Sequence, residues 1–314
     1  KVQVDCWIRI WYTKSLIKEQ IKKCCLILNQ FGGRGKYMGI IGIGKETYLY
    51  VNGISCSHEI NLRKDVTLIP VDSKMKFDIV SKLIKNDIDF SVAVLSSETL
   101  SSQLRITSSD AEQLAVATWN AQWDCILLGA LFNCEVMSNL QSDKPVNTQE
   151  KATYINITNY AFHALLRECY NLSETDEKWL SSYYCVAMKL IEFDTYRTAV
   201  HALASYRWHS MPRVQLAILW SGIESLFNVS TEVSFRVSLY IARFLAGHDD
   251  IKANEVFKKV KKLYNMRSSA VHGNKMKEDI SSFVTESAVL LNQLIIHCAE
   301  IGELPNTEKL IFNI

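Results

Sequence analysis

Arg267 and His272 are the two side chains whose type and spacing best suit chemistry. They lie in the run Phe257-Lys258-Lys259-Val260-Lys261-Lys262-Leu263-Tyr264-Asn265-Met266-Arg267-Ser268-Ser269-Ala270-Val271-His272-Gly273. Read as a helix, its apolar positions fall at Phe257, Val260, Tyr264 and Val271. The position missing from that series is occupied by Arg267. A guanidinium on an apolar face is costly to bury without a partner. Arg267 therefore calls for a carboxylate, a neighbouring subunit or a phosphate. His272 is a side chain that exchanges protons near neutral pH, and Gly273 offers a helix stop.

On a regular helix Arg267 and His272 point about 140° apart. Two arrangements bring them to one ligand. The helix ends or kinks near Ser268-Ser269, or a second protomer supplies half of the site. The ordinary alternative is that Arg267 pairs with a core carboxylate and His272 caps the last turn. Glu224 shares a helical side with Trp220, Ile223 and Phe227, which predicts a half-buried carboxylate that wants an arginine. Arg267 is the first candidate for it, with Arg236 and Arg243 as competitors. Glu224 would then orient the arginine or simply hold the helices together.

The R-x4-H spacing with a following glycine resembles the signature of the HEPN superfamily, and more narrowly its ApeA-like group. The similarity rests on two segments in order. Residues 263–273 resemble that group's motif helix, and Leu219-Trp220-Ser221-Gly222-Ile223-Glu224-Ser225-Leu226-Phe227 resembles its helix with an embedded glutamate. It covers roughly the C-terminal half. Where many catalytic members carry Asn, Asp or His after the arginine, this chain has Ser268. The resemblance implies a helical bundle that pairs side by side into a homodimer, both motifs lining one cleft. It implies a metal-independent endoribonuclease leaving 2′,3′-cyclic phosphate and 5′-hydroxyl ends, with no cofactor. Arg267 and His272 would be catalytic, and Glu224 and Ser268 supporting. RNA, tRNA included, would be the substrate, and a toxin-type effector of bacterial antiviral defence the biological role. The alternative is a non-catalytic HEPN module for binding RNA, nucleotides or protein, and for dimerisation.

Around the motif, Lys258, Lys259, Lys261 and Lys262 could hold RNA phosphates, though such runs also serve as solvated faces. Arg236, Tyr240 and Arg243 share a face of the preceding helix and would extend a basic, aromatic surface. Other constellations carry less. Cys56 and His58 form a lone C-x-H without a second pair. Gly39, Gly42, Gly44 and Lys45 lack phosphate-loop spacing, and Glu46 follows where a hydroxyl should bind magnesium. Residues 32–36 read as a basic glycine-rich loop, with an anion-binding nest of backbone amides as the alternative. His163, His201, His209 and His297 fall on separate helices without metal-ligand spacing, so no metal is expected. No G-x-S-x-G occurs.

The 314 residues suffice for two domains and a large core. A net charge of +2 gives no global pull towards nucleic acid, so contacts with it must be local. Nine cysteines without C-x-x-C pairs read as reduced thiols. With no signal peptide and no long apolar run beyond residues 125–132, a soluble cytoplasmic protein without membrane contact is expected.

The fold class expected is α+β: a small mixed α/β N-terminal domain over residues 1–145, then an all-α HEPN-type bundle over 146–314. Periodicity predicts strands at 2–12, 37–43, 46–51, 66–71 and 90–95, and helices at 15–31 and 74–85. A long helix starts at Ser109 or Asp110 and runs towards Met137, with an apolar stripe wide enough to pack against both halves. Residues 141–148, polar and containing Pro145, read as the linker. Helices follow at 151–170, 174–192, 194–209, 212–228, 231–246, 251–272 and 277–301.

Overall fold

The computed structural model describes residues 40–161, 168–229, 231–271 and 279–312. These all fall within one compact unit. The strand expected at 2–12, the helix at 15–31 and the loop at 32–36 lie outside the described residues, as do His163 and His272.

A sheet region comes first and a helical region follows. The principal sheet contains β1 (Glu46–Asn52), β3 (Ile60–Arg63), β4 (Val66–Pro70), β5 (Leu100–Thr107), β6 (Met137–Ser142) and β7 (Ile155–Ile157). Its order is β3-β4-β5-β1-β6-β7, with neighbouring strands antiparallel. The short β2 (Ile54–Ser55) pairs in parallel with β8 (Tyr170–Asn171). Strand β1 is central, and both its faces are buried because its side chains alternate. Leu49 and Val51 join the core shared with the helices, whereas Tyr48 and Tyr50 face a second core. That second core is closed by α1 (Phe77–Leu83) and α2 (Asp87–Glu98) through Val80, Val92 and Ala93.

Helix α3 (Ala111–Leu131) links the two regions. Asp110 caps its start by accepting from the Gln113 amide at 2.9 Å, as a β-region N-cap should. One side packs on β5, β1 and β6, and the other on α5 and α9, so the expected two-sided stripe is present. The helical region contains α4 (Glu174–Leu190), α5 (Asp194–Ser205), α6 (Pro212–Phe227), α7 (Val233–Ala246), α8 (Asp250–Val271), α9 (Ile280–Ile301) and α10 (Thr307–Phe312). Ser173 and Asp176 form a reciprocal capping box at α4, and Pro212 occupies the first turn of α6. Helix α9 is the hub, packing on α3, α4, α5, α6 and α8. Among the described residues it alone is long and apolar enough to cross a membrane, at a mean hydropathy of 1.2. It buries Phe283, Leu291, Leu294 and Ile295 inside the bundle, as a core helix does. Its Asn292 donates to the Ala130 and Leu131 carbonyls, each at 2.8 Å, closing the C-terminus of α3.

Several expectations are corrected. Residues 90–95 belong to α2, not to a strand. Asn86 accepts from the Ile88 and Asp89 amides, and Asp87 and Asp89 favour a helix start. Residues 40–43 are not strand. The helix expected at 151–170 is replaced, among the described residues, by β7 and β8. The presumed linker begins inside β6, where Gln141 and Ser142 are fully buried. Gln141 Nε2 donates to the Ile41 carbonyl at 2.6 Å and reaches Thr47 Oγ1 at 3.0 Å, so these polar side chains are satisfied inside the protein.

Candidate functional site

Helices α6 and α8 meet at the two segments singled out above. The inward side of α8 is Ala253, Val260, Leu263 and Ala270, with Arg267 in the same succession. The helix continues unbroken through Ser268 and Ser269 to Val271, so no kink there turns Arg267 towards the next turn. On α6, Trp220, Ile223 and Phe227 are buried, and Glu224 projects beside them. The expected half-buried carboxylate is therefore in place, with its side chain 27% exposed and that of Arg267 22%.

Arg267 meets Glu224 rather than leaving it to Arg236 or Arg243. Its terminal nitrogen lies 3.3 Å from Oε1 and donates a long hydrogen bond of 3.4 Å to Oε2. Among the described residues, Arg267 Nε and Glu224 Oε1 have no hydrogen-bond partner. A guanidinium carries five N–H donors, so most of its capacity is not taken up by the carboxylate. Burial pushes the Glu224 carboxyl above its ordinary value, and the positive charge of Arg267 opposes that rise.

An aromatic wall supports the pair. The Arg267 guanidinium lies 5.6 Å from the centre of the Tyr264 ring, close enough for a cation–π contact. Tyr264 meets Trp220 edge-to-face at 5.3 Å, and Trp220 Nε1 donates to Ser287 Oγ on α9 at 3.1 Å. Burial, together with the Glu224 charge, pushes the Tyr264 hydroxyl up, while Arg267 pulls it down. Arg213, in the first turn of α6, donates to the Ala270 carbonyl at 2.5 Å. That satisfies one of the orphan carbonyls at the end of α8, immediately before the described chain stops. Helical spacing puts Tyr264 on the apolar face of the motif helix without marking its contact with Arg267, and Arg213 carries no local pattern that marks a role.

Ser268 follows Arg267 in α8 and is partly exposed. Lys258, Lys259, Lys261 and Lys262 are exposed along the same helix. Lys261 stands 5.6 Å from the Phe257 ring centre, and Lys262 5.5 Å from that of Phe283. Arg236 pairs with Glu232 at 3.4 Å and Arg243 with Asp250 at 2.6 Å, so both of these arginines already face acids. Tyr240 is buried and does not extend the surface.

A second charged centre went unnoticed in the sequence. Asp124, on α3, is fully buried. Its carboxylate accepts from Arg63 Nε and from an Arg63 terminal nitrogen at 2.9 Å, and from the Tyr184 hydroxyl at 2.7 Å. Burial raises this carboxyl, and Arg63 and Tyr184 oppose the rise. The trio joins β3, α3 and α4, and both carboxylate oxygens of the aspartate already accept within it, so it is a structural lock. The one signal for it was a lone acid within an apolar helical stretch. Among the described residues, no group of three or more His, Cys, Asp or Glu side chains is placed to hold a metal ion.

Comparison with known protein families, with curated proteins and with solved structures finds no match to this chain.

Proposed function

We propose that the chain is a metal-independent endoribonuclease of HEPN type, acting as a toxin-like effector in bacterial antiviral defence. The observation that carries this reading is the incomplete use of Arg267. It is placed on the inner face of α8 near the helix end, yet Glu224 takes only one long hydrogen bond from it. An arginine so placed can accept a phosphate while the carboxylate keeps it oriented.

In this mechanism the nucleophile is the substrate's own 2′-hydroxyl. His272 takes the proton from that hydroxyl as general base, and Arg267 binds the scissile phosphate and stabilises its developing charge. The attack forms a 2′,3′-cyclic phosphate as the bond from phosphorus to the 5′-oxygen breaks, and that oxygen takes up a proton from water. Ser268 lies beside the arginine as a supporting hydroxyl. On a regular helix positions 267 and 272 face about 140° apart, which suits a composite cleft built by two copies, so a cytoplasmic homodimer is part of the proposal. The chemistry is tested by its products. Cleavage should persist in EDTA, leave cyclic phosphate and 5′-hydroxyl ends, and stop when the scissile position carries a 2′-deoxy sugar. Loss of activity on chelation, restored by magnesium, refutes this mechanism.

One observation favours the rival, a non-catalytic HEPN module for binding and dimerisation. Glu224 neutralises Arg267 within the same chain. In that reading the pair holds α6 against α8 and RNA is bound without being cut.

A further inference from the structure

Helices α7 and α8 form a hairpin whose charge differs from that of the chain as a whole. Residues 231–271 carry eight arginines and lysines against four acids, while the whole chain has a net charge of +2. Two of those acids, Glu232 and Asp250, are taken by Arg236 and Arg243. Lys258, Lys259 and Lys261 are exposed and form no ion pair with an acid among the described residues.

A groove runs between the two helices, lined by Phe235 and Leu239 from α7 and by Ala253, Asn254 and Phe257 from α8. At one end Arg243 and Asp250 neutralise each other. At the other, Phe235 and Phe257 meet edge-to-face with their ring centres 5.7 Å apart. Phe235 remains 52% exposed. A large aromatic ring left this open loses the benefit of burial unless something covers it. Lys261 follows Phe257 by one helical turn and its ammonium already lies near that ring, while Lys258 is exposed about 100° further round the helix.

An occupant that is flat, apolar on its faces and joined to anionic groups fits the open ring and the nearby ammonium groups together. We propose that the Phe235–Phe257 end of this groove is a docking site for single-stranded RNA, with an unpaired base stacked on Phe235 and the flanking phosphates on Lys258 and Lys261. This extends the ribonuclease reading, on which the choice of RNA rests, and states the form of substrate taken: unpaired strands and loops rather than duplex. A regular duplex keeps its bases stacked internally and offers the ring nothing.

The test measures binding apart from cutting. The full chain carrying His272→Ala is titrated against a fluorescein-labelled oligouridylate of about twelve nucleotides, and against an RNA duplex of similar length, by anisotropy. The single strand should bind more tightly than the duplex. Phe235→Ala should weaken single-strand binding roughly five- to hundredfold, and Phe235→Trp should retain it. Replacing Lys258 and Lys261 by glutamine should flatten the salt dependence by roughly 1.4 in log–log slope. Unchanged affinity in a folded Phe235→Ala variant, equal binding of duplex, or no binding of the single strand overturns the proposal. So does loss of self-association in Phe235→Ala with RNA affinity intact, which assigns the groove to a second copy. Should Phe235→Ala fail to fold, the tryptophan and lysine variants decide by the same criteria. Binding that depends on Phe235 without cleavage by the unmutated chain refutes the ribonuclease reading alone. Cleavage with affinity independent of Phe235 refutes the groove alone.

Discussion

Two arginine–carboxylate pairs in this protein allow a structural role to be separated from a functional one. Arg63 grips Asp124 through two nitrogens, the shorter contact being 2.9 Å, and the aspartate is fully buried. Removing Arg63 strands that carboxylate, with only Tyr184 left to it. Breaking such a buried pair costs about 3–5 kcal/mol. Arg267 instead makes one hydrogen bond of 3.4 Å, and both partners are more than a fifth exposed. Its gross attraction to Glu224 at an effective dielectric near 20 is about 5 kcal/mol. Desolvation of the carboxylate outweighs that attraction, since its affinity for protons stays raised. For a pair this exposed the net contribution is at most about 1 kcal/mol. At roughly 2–4 °C per kcal/mol, Arg63→Ala should lower the thermal midpoint by about 6–20 °C and Arg267→Ala by at most about 2–4 °C. Differential scanning fluorimetry of both variants at one concentration reads this. An Arg267→Ala loss as large as that of Arg63→Ala would make Arg267 a packing residue and remove the warrant for a phosphate site.

Three further outcomes follow from the same geometry. Because the folded Glu224 carboxyl is raised, the folded state binds its proton first as pH falls, so stability from this group is gained on acidification and lost as pH rises through the folded value; the midpoint of the unmutated chain relative to Glu224→Gln should improve from pH 7 towards pH 5, and a relative decline contradicts the raised carboxyl. Gly222 lets α6 approach its neighbours, since an added Cβ would lie 2.8 Å from Ala202 Cβ and 3.0 Å from Leu291 Cδ2; Gly222→Ala should cost about 1–3 kcal/mol in urea unfolding, whereas a neutral result denies the close packing. If the ribonuclease is composite, its specific activity should fall on dilution below the dimer dissociation constant, and full activity from a monomer in sedimentation refutes the shared cleft.

Much of the helical region could be read from local signals. Ser173 with Asp176, Asp110 ahead of Ala111 and Pro212 in a first turn mark helix starts that the structure retains. The demand of Arg267 for a carboxylate, and the half-burial of Glu224, follow from a charge on an apolar face and are met. Sheet elements were harder. β6 is built from Met137-Ser138-Asn139-Leu140-Gln141-Ser142, whose first residue is the expected reach of the long helix and whose last two open the expected linker; their distant partners leave no local mark. Residues 90–95 alternate like a strand, but the Asn86 cap and first-turn acids decide for helix. The Arg63–Asp124–Tyr184 lock joins residues more than fifty positions apart, and nothing local announces such a pairing. The same holds for Arg213 at the end of α8.

The central claim is that Arg267 and His272 cut RNA. Purified protein is incubated with total RNA at one concentration beside Arg267→Ala and His272→Ala, with folding checked by circular dichroism. The account predicts fragmentation by the unmutated chain and its abolition in both folded variants. Undiminished cleavage by either variant, or intact RNA with the unmutated chain, contradicts it.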